Sequence, residues 1–250
     1  MKGIDCTSQI TQEIGQELFN QGINYVARYL VPEWGNMLWK RLTKEECQVM
    51  TDLGIKILSV FEISAGDMIG GHITGMAHGK LAYEQTQLIG QPTGTFVFFA
   101  VDYDAQSEDY DLIEQYLKAA AEQLPGYKIG VYGSFYVTEE MANRKACEAF
   151  WQTYAWSGGN LSEIGRDIYQ YQNGVSLAGI EVDMDDFYYE DINGGNIVWN
   201  YDTPPMEEPK PEPDYRQKYT EVVAELSLLQ DRHNNFVDRI SSMVNGDRLL

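Results

Sequence analysis

The feature that most constrains the fold is an apolar run at residues 96–105, which reads FVFFAVDYDA and ends in two acids. A run of this length that is rich in Phe and Val is typical of a strand buried on both faces of a parallel sheet. Because side chains alternate along a strand with period two, Ala100, Asp102 and Asp104 are predicted to share one face. The two carboxylates should then converge at the strand's end. Since burying an unpaired carboxylate is costly, this convergence indicates an open site.

The rest of the chain alternates short apolar runs with amphipathic stretches, which is the rhythm of a parallel α/β sheet. Eight runs are candidate strands, at residues 3–5, 23–30, 55–63, 95–103, 128–132, 150–154, 168–171 and 180–184. Five stretches are candidate helices, at residues 9–20, 43–52, 70–89, 107–123 and 138–148. Beyond the sixth strand the pattern weakens, with at most one short helix in 157–166 and a predicted loop at 173–179.

Acids recur where the candidate strands end, at Asp5, Glu62, Asp102 with Asp104, and Asp183. Only a closed ring of strands brings the eighth strand beside the first. The predicted fold is therefore an α/β protein with an irregular (β/α)8 TIM-type barrel. The eight strands need fewer residues than the roughly 250 of a typical barrel, which agrees with the missing late helices.

Three segments are predicted along the chain, beginning with the barrel at residues 1–201. Residues 202–214, DTPPMEEPKPEPD, form a Pro-rich acidic linker that should be extended. Within residues 215–246, apolar positions from Tyr219 to Met243 alternate steps of three and four, which is the seam of a coiled coil. This helix should make the protein a homo-oligomer.

The charge and the first residues exclude several function classes. A net charge of -20 argues against nucleic acid and against an anionic membrane surface as partners. The N-terminal MKGIDC lacks the apolar segment of a signal peptide, and no stretch reaches the roughly 18 apolar residues of a membrane span. We therefore expect synthesis in the cytoplasm, with any action outside the cell depending on lysis or a phage holin. The three cysteines lack metal or redox spacing, and no cofactor is expected.

Carboxylates at the mouth of a barrel are the minimum apparatus for cleaving a glycosidic bond, with one protonated as donor and another ionised. Aromatic side chains would add platforms for sugar rings. Those that follow strand ends are Tyr132, Trp151, Tyr154 and Trp156, while Trp34 and Trp39 follow the second strand.

Several segments together resemble the glycoside-hydrolase-like barrel of phage endolysins and related cell-wall proteins, which is itself similar to the family 25 lysozymes. They are GID at 3–5, FAVDYD at 99–104, GVYGS at 130–134, WQTY at 151–154, and YQY at 169–171 through IEVD at 180–183. The resemblance covers roughly residues 1–190. It implies hydrolysis of the β-1,4 link between N-acetylmuramic acid and N-acetylglucosamine, with bacterial peptidoglycan as partner and the cell wall as place of action.

Site residues follow from this resemblance position by position. Asp5, Asp102 and Asp183 match the acids of strands one, four and eight. Asp104 stands where family 25 has Glu, one methylene longer, and proton transfer demands close approach. The proton donor is therefore Asp104 or Glu62, with Asp102 as its ionised partner and Asp5 and Asp183 as supports or stabilisers of the oxocarbenium ion.

A cation and a set of substrate contacts complete the predicted site. Arg28 on the second strand is expected to hold one of the carboxylates ionised and to contact substrate. The other predicted substrate contacts are Tyr132, Trp151, Tyr154, Trp156 and Gln170.

Three alternatives stay open at this point. Asp102, Asp104 and Asp183 could hold Ca²⁺ or Mg²⁺, since hard cations favour carboxylate oxygens. The barrel could be a glycan-binding module that has lost turnover, with the change from Glu to Asp at position 104 as its trace. The chain could also be a structural component of a phage particle that the coiled coil assembles.

Overall fold

A computed structural model of the chain describes residues 1–32 and 37–205. In this part of the chain, eight strands close into one barrel in sequence order, as predicted. The strands are β1 (Lys2–Asp5), β2 (Tyr25–Leu30), β3 (Lys56–Phe61), β4 (Phe96–Ala100), β5 (Lys128–Gly133), β6 (Ala149–Thr153), β7 (Ile168–Leu177) and β8 (Ile180–Phe187). The five α-helices of the described part are α1 (Gln12–Asn20), α2 (Lys44–Asp52), α3 (Gly71–Ile89), α4 (Tyr110–Glu122) and α5 (Phe135–Arg144).

Strand β4 confirms the alternation that the apolar run predicts. Phe96, Phe98 and Ala100 pack inside the barrel with side chains from the opposite strands. Val97 and Phe99 belong to the second core, which lies between the barrel and its helices. The strand is buried on both faces because each face has its own apolar layer.

The helix ends follow local chemistry. Three helices begin at a hydroxyl side chain that accepts a hydrogen bond from a backbone N–H of the first turn, namely Thr11 for α1, Thr43 for α2 and Ser134 for α5. Helix α3 ends at Gly90, whose φ of 72° is left-handed and favours glycine. These signals mark where α1, α2 and α5 begin and where α3 ends.

Strand β8 is antiparallel to both of its neighbours, β7 and β1. The predicted loop at 173–179 is wrong, because β7 continues to Leu177 and a two-residue turn joins it to β8. Ala178 and Gly179 form that turn with φ of 49° and 80°, the pattern of a tight hairpin. A parallel connection would need a dozen or more residues, and this turn has two. Asp183 therefore lies in the middle of an antiparallel strand, opposite Asp5, and not at a strand's carboxyl end.

The segment after β8 covers the end of the barrel where the parallel strands begin. It contains a small hairpin, β9 (Asp191–Ile192) with β10 (Gly195–Asn196). Ile197, Val198 and Trp199 of this segment are buried, and Trp199 bridges to β3 at Ile57. Within the described residues, the opposite end of the barrel has an open cavity.

Two predictions fall largely on residues outside the described ranges. The linker at 202–214 is described only through residue 205, and the coiled-coil helix at 215–246 lies wholly outside, so the helix and the homo-oligomer remain predictions. Among the described helices, none is both long and apolar enough to cross a membrane.

Helices α3 and α4 pack closely because Gly75 and Gly79 face α4. A Cβ at Gly79 would lie 2.5 Å from the backbone oxygen of Ala120, and one at Gly75 would lie 2.3 Å from that of Tyr116. Backbone cannot move aside as a flexible side chain can.

We predict that Gly79→Ala destabilises the protein in urea unfolding, although alanine favours the helix by about 0.5–1 kcal/mol over glycine. Overpacking against backbone costs about 1–3 kcal/mol, which exceeds that gain. The matched control is Ile73→Ala on the same helix, where the side chain is 81% exposed and the change should stay within about 0.5 kcal/mol. Equal or higher stability of Gly79→Ala would contradict the close packing of α3 on α4.

Candidate functional site

A cavity of about 180 Å³ opens at the end of the barrel where the parallel strands finish. Four carboxylates line it, those of Asp5, Glu62, Asp102 and Asp183. Its other polar and aromatic walls are Tyr29, Tyr132, Trp151, Gln170 and Asn173. Ligand pockets usually measure about 300–1,000 Å³, so this cavity holds one ring-sized group and a longer ligand must extend across its mouth.

Each acid reaches the cavity from a defined place in the sheet. Asp5 is the last residue of β1, and Asp183 of β8 lies directly opposite it in the antiparallel ladder. Glu62 follows the last residue of β3, and Asp102 comes two residues after the end of β4. The cavity therefore lies between the antiparallel pair β1–β8, called here the hairpin side of the barrel, and the parallel strands β3 and β4, called its parallel side.

The side-chain amide of Gln170 on β7 ties two of these acids together. Its Nε2 donates to Asp5 Oδ2 at 2.7 Å and to Asp183 Oδ2 at 3.4 Å. Its Oε1 accepts from the hydroxyls of Tyr132 at 2.9 Å and Thr153 at 2.6 Å. With both ends of the amide bonded, Gln170 fixes the positions of Asp5 and Asp183.

A further acid, Asp185, lies on β8 below the cavity and is fully buried. Trp151 Nε1 donates to its Oδ1 at 2.8 Å, while its Oδ2 has no hydrogen-bond partner among the described residues. Burial, together with the negative charge of Asp5, raises the pKa of Asp185 well above its usual range. Burial and the charge of Asp183 raise the pKa of Asp5 to about 7. Burial of Asp185 therefore favours its neutral, protonated form, which has a proton to donate to Asp5.

On the parallel side of the cavity, Asp102 and Glu62 have contrasting surroundings. Burial, with the negative charge of Glu62, raises the pKa of Asp102 to about 6. Lys40 Nζ lies 3.4 Å from Glu62 Oε2 and compensates its negative charge. The same ammonium lies 4.5 Å from the centre of the Tyr29 ring. A carboxyl that keeps its proton at mildly acidic pH thus adjoins a charge-compensated carboxylate, which is the arrangement that acid–base chemistry needs.

The predicted convergence of Asp102 and Asp104 is wrong. Strand β4 ends at Ala100, so period-two alternation does not extend to position 104. Asp104 is exposed and lines a second cavity with residues of the next loops. It cannot share a cation with Asp102 and Asp183 there, and within the described ranges no three His, Cys, Asp or Glu side chains are arranged to hold a metal.

The role predicted for Arg28 is also wrong. Its side chain is fully buried on the outer face of β2, the face of Val26 and Leu30, and points toward α2. Nε donates to Glu46 Oε1 at 2.7 Å, and Nη1 donates to the backbone oxygen of Cys6 at 2.6 Å. The cation beside the candidate site is Lys40 instead.

The predicted aromatic and amide contacts divide into two groups. Tyr132, Trp151 and Gln170 line the cavity of about 180 Å³, and their contact with substrate remains a prediction. Tyr154 and Trp156 are more than a third exposed, and Trp156 lines the second cavity with Asp104. Trp39 is exposed as well, and Trp34 lies outside the described residues.

The sequence analysis does not identify four residues of the site, which are Tyr29, Lys40, Asn173 and Asp185. The period-two pattern of strands indicates two of them, because Tyr29 is two residues after the inward-facing Ala27 and Asp185 is two residues after Asp183. Asn173 falls in the predicted loop at 173–179, so no sequence pattern indicates that it lies on β7 beside the cavity. Lys40 ends a short 3₁₀ helix, Leu38–Lys40, and only the tertiary fold brings it to Glu62.

Comparison with known families gives one match that covers most of the barrel. A family model described as the Rv2525c-like, glycoside hydrolase-like domain matches residues 16–189. Among curated proteins, the uncharacterized protein FadG of Bacillus subtilis (strain 168) is 29% identical over 143 residues, which are 52% of this chain and 24% of FadG. The matched region is thus about a quarter of that relative's length.

Solved structures show the same fold. The Tat-secreted protein Rv2525c of Mycobacterium tuberculosis, in complex with L-tartrate, superposes with a TM-score of 0.68 at 21% identity, covering 78% of this chain and 98% of that one. GHIP, a glycosyl hydrolase 25 of Streptococcus pneumoniae, gives a TM-score of 0.53 at 15% identity and covers 74% and 86%. At these identities the likeness establishes the fold alone.

We predict that Asp185→Asn stabilises the protein at pH 8 and leaves its stability at pH 4 nearly unchanged. Because the folded pKa of Asp185 is raised, its contribution is fully present below the unfolded value of about 3.9 and is lost as pH rises. Asparagine keeps an acceptor for Trp151 and a donor for Asp5 without a charge to bury. Each 1 kcal/mol gained should raise Tm by about 2–4 °C, measured by thermal unfolding.

The matched control is Asp191→Asn, an exposed acid on β9 at the closed end of the barrel. It should leave the dependence of Tm on pH as it is. If Asp185→Asn lowers Tm at pH 8, Asp185 is ionised in the native protein and its assignment as a neutral acid is wrong.

Proposed function

The chain belongs to the Rv2525c-like family of glycoside hydrolase-like domains. We propose that it hydrolyses the β-1,4 glycosidic bond of bacterial peptidoglycan that links N-acetylmuramic acid to N-acetylglucosamine and leaves N-acetylmuramic acid at the new reducing end. One observation carries the proposal. A single cavity at the open end of the barrel contains Asp102, whose pKa is raised to about 6, beside Glu62, whose charge is compensated by Lys40. Glycosidic cleavage needs such a pair, one carboxyl protonated and one ionised.

We assign Asp102 as the proton donor and Glu62 as its ionised partner. This reverses the sequence-based assignment, which gave the proton to Asp104 or Glu62 and made Asp102 the ionised group. Asp104 lies outside the cavity, and the ammonium of Lys40 favours negative charge on Glu62.

In this scheme Asp102 gives its proton to the glycosidic oxygen as the bond from that oxygen to the anomeric carbon breaks. The positive charge that develops on the sugar ring is stabilised by the carboxylate of Glu62, while Gln170 holds Asp5 and Asp183 in place as the supporting wall of the cavity. Water then supplies a hydroxyl to the anomeric carbon, and its proton passes to a carboxylate of the cavity.

The size and position of the cavity support a polymeric substrate. The cavity of about 180 Å³ takes one ring-sized group, so the adjoining rings of a longer substrate would extend over the open end of the barrel. Peptidoglycan lies outside the cytoplasmic membrane, so we also propose that the protein acts at the cell wall after release from the cell. A homo-oligomer formed through residues 215–246 would add avidity on an insoluble wall.

A second candidate is a glycan-binding module without turnover. The observation that favours it is the position of Asp104, which stands where family 25 has Glu but lines a different cavity. Binding to purified walls without release of new reducing ends would select this candidate.

We predict that Asp102→Asn lowers the rate of reducing-end release from purified peptidoglycan by at least about a hundredfold, since general acid catalysis is worth about 10²–10⁴. The fold should be retained, as judged by circular dichroism. Asp191→Asn, the same chemical change at the closed end of the barrel, is the matched control and should keep the parent's rate. Equal rates for the parent and Asp102→Asn would refute the assignment of the donor.

We also predict that hydrolysis of soluble wall fragments slows as pH rises above about 6. The donor must carry its proton, and the folded pKa of Asp102 is about 6, so the protonated fraction falls about tenfold per pH unit well above that value. The measurement is the initial rate between pH 5 and 8, with the fold checked at each pH. A rate that keeps increasing from pH 6 to 8 would mean that Asp102 is not the donor.

A further inference from the structure

A second cavity, of about 530 Å³, lies at the same end of the barrel as the first. Its walls come from the loops after β4 and β6 and from the first turns of α4 and α5, and its main side chains are Asp104, Tyr110, Tyr136 and Trp156. The loop after β4 separates the two cavities, because Asp102 lines the first and Asp104 lines the second. A ligand bound across the open end can therefore reach both.

Trp156 is held in an unusual backbone conformation in this cavity. Its φ is 55°, in the left-handed region that bulky side chains rarely adopt. Strain of this kind persists only where the surroundings enforce it, and it concentrates at ligand sites. Folding alone gives no reason to place Trp here.

The surroundings that enforce this conformation can be identified. The hydroxyl of the buried Ser157 donates to the backbone oxygen of Thr153 at 2.5 Å and accepts from the backbone N–H of Phe135 at 2.8 Å. These bonds anchor the loop after β6 to the start of α5. The loop is thus rigid, yet it leaves the Trp156 side chain 39% exposed beside Tyr136.

The charges around this cavity are negative. Asp104 is exposed at its wall, and Asp104, Asp109 and Glu140 lie close enough to Tyr110 to raise its pKa in addition to burial. The nearby cation, Arg144, is engaged by Asp111, Glu114 and Glu140. An anionic group would be repelled here, whereas a cation would meet a carboxylate and the negative faces of aromatic rings.

We propose that this second cavity binds a primary ammonium group, with the rings of Trp156 and Tyr136 as its aromatic wall and Asp104 as its counter-ion. The inference rests on the proposed cell-wall substrate only for the source of the ammonium. That source is either the side chain of a diamino acid in a wall peptide or a glucosamine unit that lacks its acetyl group. A neutral sugar could stack on Trp156 and donate a hydroxyl to Asp104, but it would lack the charge attraction that an ammonium adds.

The test measures binding directly, by isothermal titration of the full chain with four probes. Two probes are cationic, the C-terminally amidated peptide Ac-Lys-D-Ala-D-Ala-NH2 and a glucosamine tetramer, and two are their N-acetylated neutral counterparts. The cationic form of at least one pair should bind about tenfold more tightly than its neutral counterpart, and the pair that shows the preference identifies the source. Equal binding of cationic and neutral forms, or no binding of any probe, would overturn the proposal.

Variants separate the aromatic and the ionic contributions. Trp156→Leu keeps apolar bulk but has no ring and should weaken the cationic probe about tenfold, whereas Trp156→Phe should keep most of the affinity. Asp104→Asn should reduce the preference for the cation. Tyr189→Ala removes an aromatic ring that is 54% exposed elsewhere and is the control. If Trp156→Leu binds as the parent does, the cavity is not the site.

Hydrolysis is followed separately on the same samples. Loss of ammonium binding in Trp156→Leu should raise KM for the matching wall fragments more than it lowers kcat, because Trp156 lies outside the first cavity. A protein without hydrolase activity that still prefers the cationic probe would refute the proposed function and support the second site. An active hydrolase without that preference would support the proposed function and refute the ammonium site.

Discussion

Several carboxyl groups in and below one small cavity cannot all be ionised, and this constraint organises the open end of the barrel. The antiparallel β8 places Asp183 opposite Asp5 and brings Asp185 beneath them on the same inner face. Asp185 is completely buried, with Trp151 donating to it and the negative charge of Asp5 nearby, so its neutral form is favoured. Gln170 then binds Asp5 and Asp183 with an amide that is already fixed by two hydroxyls. The negative charge that remains is concentrated where a ligand can reach it.

On the parallel side of the barrel, two further carboxyl groups, those of Glu62 and Asp102, share the same cavity but have different surroundings. Glu62 has an ammonium beside it, while burial and the negative charge of Glu62 raise the pKa of Asp102. Arg28, the only cation that the sequence suggested for this role, instead compensates Glu46 in the outer layer, where breaking the pair would leave a buried charge. The site therefore depends on Lys40, which belongs to a short connecting segment and not to a strand.

The sequence could predict those residues that lie within regular strands, where the period-two pattern of side chains applies. Within strands, period two is reliable: it assigns the two faces of β4, places Asp5 and Tyr132 at the cavity, and would have found Tyr29 and Asp185. Beyond a strand's last residue the period-two pattern no longer holds, which is why the predicted convergence of Asp104 with Asp102 is wrong. The β7–β8 hairpin was missed because a two-residue turn with positive φ at Ala178 has little sequence signature. Lys40 meets Glu62 only through tertiary structure, which no local pattern encodes.

Membership of the family and the fold shared with a glycosyl hydrolase 25 leave the chemistry to be decided at the site. The most direct test is mass spectrometry of the sugar ends formed when the full chain digests purified peptidoglycan. Cleavage of the proposed bond predicts new reducing ends that are N-acetylmuramic acid, and their loss in Asp102→Asn. New ends that are N-acetylglucosamine, cut peptides with intact glycan strands, or no new ends at all would contradict the proposed hydrolysis.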